Sequence, residues 1–405
     1  MGRNNIVASL DVGTSKICCM AGEITRSGDI DILGYGIVPS AGIKKGNIVN
    51  IDSVVQSIAK AVQQAEQMAG IRLNGIIVGM SGSSISILNN KGVVAIPRGE
   101  KEITPDDIDR VIQASKIMAI PYDRQIIDVI PREFTVDGYD GIKDPVGMIG
   151  TRLEVSACIV TGLQTAVLNL IRCVEKAGVR VDAVVLKSLA IAEMLLSEDE
   201  LEMGAVLIDI GAGTTEIAVF EEGCITSYDL FPVGGDFITN DIAIGLRLPY
   251  SQAEQIKRSY ACANIATASD KPNIEVQSIG DSAYKKVSQK ELAVIIEPRV
   301  QEILALIVNN LKNLKVKSML PAGIILTGGG LVHIDGAVEM AQRYLNLPVR
   351  VGNAGSYDKD QMFNAALSLL YYEIKHKNLP VNSASRESSG YSLLERAKML
   401  LKEYF

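Results

Sequence analysis

The sequence predicts an α/β fold built from two related halves. Two matching strand–turn–strand passages predict the duplication, and helical patterns between strands predict the α/β class. The first passage is "NIVASLDVGTSKICCMAGEI", in which β-branched residues flank Gly13 and the apolar run is too short for a helix. The second is "GAVLIDIGAGTTEIAVFEEG". It repeats the order: apolar strand, Asp209, a turn holding Gly211, Gly213, Thr214 and Thr215, apolar strand. The copies lie too far apart for a solenoid array, which leaves two halves facing each other.

The helices follow from spacing and end signals. "DSVVQSIAKAVQQAEQMAG" carries Val55, Ile58, Ala59, Val62, Ala65 and Ala69 at helical spacing, with Asp52 as candidate N-cap and Gly70 closing it. "TPDDIDRVIQASKIM" has Thr104 as N-cap, Pro105 at the first helical position and acids in the first turn. "LQTAVLNLIRCVEKAG" stops at Gly178, and "IEPRVQEILALIVNNLKNL" and "DQMFNAALSLLYYEIKH" are later helices. Between Met80 and Thr161, three strand-like runs around the Thr104 helix suggest a small α+β insertion. Residues 263–290 are more polar and suggest a peripheral subdomain, and the Ser-rich run before Ser389 reads as a flexible linker.

Composition removes several function classes. The chain has 405 residues, 47% hydrophobic and 21% charged, enough for more than one core and too apolar for disorder. A net charge of −7 argues against a nucleic-acid partner, which needs Lys and Arg to displace counterions. The six cysteines include no C-x-x-C pair, and adjacent Cys18 and Cys19 point to opposite faces of one strand. Reduced, buried thiols are the expectation. The two histidines, His333 and His376, are too few for a His-based zinc site. No signal-peptide h-region opens the chain, and no run reaches the ~18 apolar residues of a membrane span, so the expected compartment is the cytoplasm.

Four short segments can build one phosphate pocket. Gly13, Thr14, Ser15 and Lys16 follow Asp11; small residues let backbone N–H groups approach phosphate oxygens, hydroxyls add donors, and Lys16 adds charge. Gly211, Ala212, Gly213, Thr214 and Thr215 follow Asp209 and offer the same chemistry from the other half. Asp11 and Asp209 are candidates to hold Mg²⁺, directly or through water. The third segment is Gly234–Gly235–Asp236, and the fourth is "LTGGG", ending in Gly328, Gly329 and Gly330, where a side-chain-free backbone can lie against a base or ribose. One such hairpin alone is ordinary turn chemistry; both hairpins followed by both glycine turns are far more specific. Walker and dinucleotide fingerprints are absent from the sequence.

These segments resemble the phosphate and adenosine motifs of the actin, sugar-kinase and heat-shock-chaperone ATPases, and within them the chain resembles the FtsA family of actin-like bacterial cell-division proteins. The resemblance runs from Ile6 to about Tyr372 and is most distinctive in "EITPDDIDRVIQASKI", "VIPREFTVDGYDGIKDPVGMIGTRLEV" and "VGGDFITNDIAIGL" followed by "AEQIK". It implies a two-lobed actin-like fold with ATP and Mg²⁺ as cofactors. The first lobe would comprise 1–82, 163–200 and 360–376, with an inserted α+β subdomain at 83–162. The second lobe would comprise 201–236 and 306–359, with a peripheral subdomain at 237–305. A linker at 377–391 and an amphipathic helix at 392–405 would follow. The resemblance also places Glu254 and Lys257 beside ribose and adenine; the alternative is a solvated helix face. Two departures stand out: Lys187–Ser188 where such proteins often have Glu-Pro, and no glycine in "FNAALSLLYYE". No residue can be assigned as catalytic base, so the expectation is ATP binding with slow or no hydrolysis.

The tail "GYSLLERAKMLLKEYF" places Leu393, Leu394, Ala397, Leu400, Leu401, Tyr404 and Phe405 on one helical arc of roughly 140°. Its polar side carries Arg396, Lys398 and Lys402 against Glu395 and Glu403, a net of +1. Such a helix can lie in a lipid interface or dock on its own core or a partner; the linker tilts the choice toward lipid. The resemblance implies the membrane anchor, self-association into filaments, and binding of the C-terminal tail of the tubulin-like protein FtsZ, with Arg299 at the family's Arg position. It also implies a place on the cytoplasmic face of the membrane at the division septum. Rival readings on the same fold are a pilus-assembly actin homologue, a sugar-kinase-like phosphotransferase, for which no sugar-cleft Asp can be placed, and a chaperone ATPase, for which too little chain follows Tyr372.

Overall fold

The first duplicated passage folds as a hairpin of Ile6–Val12 against Lys16–Ile24, antiparallel, with Asp11 opposite Cys18. The hairpin is buried on both faces, as in a sheet covered by helices on each side. Alternation sends Ile17, Cys19 and Ala21 into one core and Cys18 and Met20 into another. The computed structural model describes residues 6–25, 30–97, 102–118, 120–280, 284–314, 320–352, 354, 361 and 363–377. All six cysteines are buried free thiols.

Two five-stranded mixed sheets share one topology. The first runs Ile30–Pro39, Lys16–Ile24, Ile6–Val12, Gly75–Met80, Arg180–Leu186. The second runs Cys224–Phe231, Thr215–Glu221, Ala205–Ile210, Ile324–Thr327, Val349–Val351. In each, three antiparallel strands are followed by two added in parallel beside the first strand. The fold is therefore actin-like and duplicated, as predicted. On the Ala205–Ile210 strand, Ala205 and Leu207 join the core shared with the first sheet, whereas Val206, Ile208 and Ile210 face the second sheet's own helices.

Each sheet's fifth strand leads toward a helix that reaches the other half. Lys187–Leu195 follows Arg180–Leu186 directly and touches the Ala205–Ile210 strand. Asn364–Lys377, beyond Val349–Val351, packs on the first sheet, burying Ala366, Leu367 and Leu370 against Val7, Cys18 and Met20. The two helices pack on each other.

Two smaller bodies flank the sheets. Ser86–Ala95, Arg152–Leu163, Arg124–Val136 and Tyr139–Ile142 form a four-stranded antiparallel sheet in that order. Against it lies the helix Pro105–Ser115, with Val111 in a separate core with Phe134 and Leu153. Thr104 caps that helix, as its sequence predicts, and the structure adds a capping box with Asp107. The second body holds the helices Gly235–Leu246, Tyr250–Tyr260 and Gln289–Asn313 and a ribbon of Pro272–Val276 with Lys285–Ser288.

Three local expectations are corrected. The helix Ile51–Ala69 is capped by Asn50, whose side chain accepts from the Ser53 amide at 3.0 Å, and Asp52 lies inside its first turn. Its buried face runs through Val54, Ile58, Ala61, Val62 and Ala65, a small rotation from the predicted stripe, because the strand beneath it selects the face. The helix around Arg299 begins at Gln289, capped by Ser288, and continues through Pro298. Residues 378–405, including the candidate lipid-facing helix, lie outside the described residues.

Candidate functional site

The two hairpin turns close identically: the Gly13 amide donates to the Lys16 carbonyl at 3.0 Å, and the Gly211 amide donates to the Thr214 carbonyl at 2.9 Å. They also meet, since a Cβ on Gly213 would lie 2.7 Å from the Thr14 Cγ2. The other glycine segments lock onto the second turn. The Gly235 and Asp236 amides donate to the Gly211 and Ala212 carbonyls at 2.9 and 2.8 Å, and the Gly330 amide donates to Ile210 at 2.8 Å. Gly328 has φ +90°, and any Cβ there would strike the Asp209 carboxylate at 2.2 Å. Gly329 has open space around its missing side chain.

These contacts enclose a cavity of about 640 Å³ between the halves. Asp11, Gly13, Thr14, Ser15, Lys16, Asp209, Gly211, Ala212 and Thr214 line one end. Asp236, Glu254, Lys257 and Gly328, Gly329 and Gly330 also line it. Gly213, Thr215, Gly234 and Gly235 do not line it. Thr215 is fully buried and donates its hydroxyl to the Val233 carbonyl at 2.8 Å, so it braces the turn rather than presenting a donor to the cavity.

Lys257 overturns the solvated-face alternative. It is 2% exposed, its Nζ donates to the Gly235 carbonyl at 3.1 Å and the Thr239 hydroxyl at 2.8 Å, and it pairs with Glu254 at 2.7 Å. Burial lowers the Lys257 pKa, and Glu254 only partly restores it. Burial also pushes Glu254 up, but the Lys257 ammonium and its hydrogen bonds outweigh that and hold its carboxyl below the usual range. Tyr250 closes this corner by donating to Asp236 at 2.7 Å.

Beside Asp209, at the end lined by the two hairpin turns, stands a cation that the sequence marks only as a departure. Lys187 lines the cavity, with its Nζ 2.9 Å from Asp209 Oδ2 and 2.7 Å from Glu216 Oε1. The Ser188 hydroxyl donates to Glu216 Oε2 at 3.0 Å, and Tyr228 bridges the same oxygen to the Gly82 amide, each at 3.3 Å. A cation at the first position of a helix opposes the macrodipole, so the carboxylates hold it there. One ammonium serves three acids. Burial alone would lower Lys187, but Asp209, Glu216 and Asp11 hold it charged well above an ordinary lysine. The deficit falls on the acids: burial pushes Asp11 and Glu216 upward despite Lys187. The legible signal was Glu216, a charge inside the buried strand "TEIAVFE" that required a partner. Gln361 and Asn364 also line the cavity; Asn364 donates to Thr327 at 3.0 Å.

This donor set does not suit direct coordination of a divalent ion by Asp209, whose Oδ2 is taken by Lys187. Among the described residues, no group of three or more His, Cys, Asp or Glu side chains is arranged to hold a metal. Arg299 lies away from the cavity wall. Its guanidinium pairs with Asp241 at 2.6 and 3.1 Å and with Glu302, and stacks over Phe237 at 5.6 Å. The Asp241 hydrogen bonds raise its pKa. Among the described residues no helix is long and apolar enough to cross a membrane.

Comparison with known proteins gives two family matches. The model described as cell division protein FtsA matches residues 206–369, and that of the SHS2 domain inserted in FtsA matches residues 82–161. The chain is 39% identical over 413 residues to the cell division protein FtsA of Pseudomonas aeruginosa, covering 99% of this chain and 98% of that one. It is 41% identical over 380 residues to that of Bacillus subtilis, covering 94% and 86%. Among solved structures, the PilM–PilN type IV pilus biogenesis complex is similar at a TM-score of 0.62 and 15% identity, covering 91% of this chain and 98% of that chain. MreB5 of Spiroplasma citri bound to ADP is similar at 0.56 and 14% identity, covering 93% and 98%. At those identities the likeness is one of fold.

Proposed function

The chain belongs to the FtsA family of cell-division proteins, and on that premise we propose that it binds ATP between its halves, self-associates into filaments, and tethers the C-terminal tail of FtsZ to the cytoplasmic face of the membrane at the septum. The observation that carries the nucleotide part is the meeting of both hairpin turns and both glycine segments around one cavity of about 640 Å³, within the ~300–1,000 Å³ of small-molecule sites. Backbone N–H groups and Lys16 suit the phosphates, and the Glu254–Lys257 corner suits the ribose and base. Slow or absent hydrolysis goes with this reading, in which the cavity works as a binding site. Gly329→Leu tests it: the side chain enters open space, so binding of ATP by calorimetry is expected to be lost while thermal stability holds. Retained binding contradicts the site assignment.

The tether rests on the amphipathic pattern of residues 392–405 after a Ser-rich run. One helix of this size binds lipid weakly, so filament formation would strengthen attachment through multivalency. Arg299 is the candidate contact for an acidic tail, exchanging Asp241 or Glu302 for the partner. Co-sedimentation of the full chain with liposomes, with ATP and FtsZ each added or omitted, tests the whole reading. Deleting residues 390–405 is expected to abolish pelleting with lipid; unchanged pelleting would sink the anchor. A pilus-assembly role has support from fold likeness alone.

A further inference from the structure

The phosphate end of the cavity already contains a fixed cation in the place where a divalent ion would be recruited. Lys187 Nζ sits 2.9 Å from Asp209 and 2.7 Å from Glu216, and it lines the cavity together with Asp11 and Lys16. Its side chain is 14% exposed, so it is screened from bulk water yet open to a ligand in the cavity. It is held from both halves: it heads the helix that follows the first sheet, and its two carboxylate partners lie on neighbouring strands of the second, Asp209 opposite Glu216. Ser188 and Tyr228 fix the far oxygen of Glu216, so the cage is braced on each side. A helix N-terminus repels a cation, which makes the placement of a lysine there depend on these acids.

We propose that Lys187 is the resident counter-ion of the nucleotide phosphates, so that this protein binds ATP without requiring a divalent cation. The inference rests on the reading of the cavity as an ATP site. Asp209 Oδ2 is occupied by the ammonium, so a divalent ion would have to displace Lys187 or be held chiefly by phosphate and water. An ammonium within a low-dielectric pocket places one unit of positive charge beside the phosphates with no ion to recruit. Lys16, at the opposite turn, supplies a second positive charge to the same end.

The test is equilibrium binding of ATP to the full chain, with excess magnesium and with excess chelator. Wild-type affinity is expected to change by less than about threefold between the two conditions. Lys187→Gln is expected to lose about tenfold in chelator and to recover part of it with magnesium, whereas Lys187→Arg retains binding in chelator. A wild-type loss of about tenfold or more on chelation overturns the inference without any variant having to fold. So does wild-type-like binding by Lys187→Gln in chelator. Absence of ATP binding by the wild type in both conditions overturns instead the ATP reading beneath it.

Discussion

Two lysines stand in the wall of the same cavity, Lys257 buried and Lys187 largely screened, and they are held in opposite ways. Lys187 is surrounded by Asp209, Glu216 and the field of Asp11; Lys257 has one carboxylate, Glu254, plus a hydroxyl and a carbonyl. Burial weakens the charge of both. Three acids overcome it at Lys187; at Lys257, Glu254 and the more distant Asp236, opposed by Arg258, do not, so the first is raised and the second lowered. The state of each cation is therefore set by the balance between burial and the charges around it: acids win at Lys187 and burial wins at Lys257. The end with surplus acid is braced against its own negative charge; the other is nearly balanced.

The strongest test of that contrast removes each ammonium. Lys187→Met leaves Asp209 and Glu216 buried without their cation and is expected to destabilise the fold by about 3–5 kcal/mol in denaturant unfolding. Lys257→Met strands only Glu254, which is partly exposed and keeps Arg258 at 3.1 Å, and is expected to cost about 1–3 kcal/mol. Equal losses would break the comparison. The smallest effect is the pH slope. Because the Lys187 pKa is raised in the folded state, its contribution is complete below about pH 10.5 and is lost as pH rises through the higher folded value. Because that of Lys257 is lowered, the unfolded chain binds more protons between its folded value and 10.5, and its contribution grows with pH across that window. Stability differences between wild type and each variant, followed by denaturant titration from neutral pH upward, should hold steady for Lys187→Met and widen for Lys257→Met until about pH 10.5.

What could be read from sequence followed from local rules. The hairpins, the Thr104 cap and the glycine turns each carry their reason within a few residues, and they appear where expected. Thr215 and Thr214 look alike in "GTT", but strand alternation turns one inward to Val233 and leaves the other on the cavity wall. Asn50 rather than Asp52 caps its helix because the chain enters that helix two residues earlier than the apolar stripe suggests. Lys187 was visible only as an oddity, since its partners lie 22 and 29 positions away and only the packing of one half on the other unites them.

That union has a mechanical side. Lys187 belongs to the first half, Asp209 and Glu216 to the second, and the helices Lys187–Leu195 and Asn364–Lys377 lean on each other beneath the cavity. The ion pairs therefore join the two halves directly across the cavity. Because attraction between charges is stronger where the dielectric is low, these pairs resist separation of one half from the other. Negative charge added beside Lys187 would compete for the same ammonium, so the charge of an occupant and the contact between the halves meet at one residue.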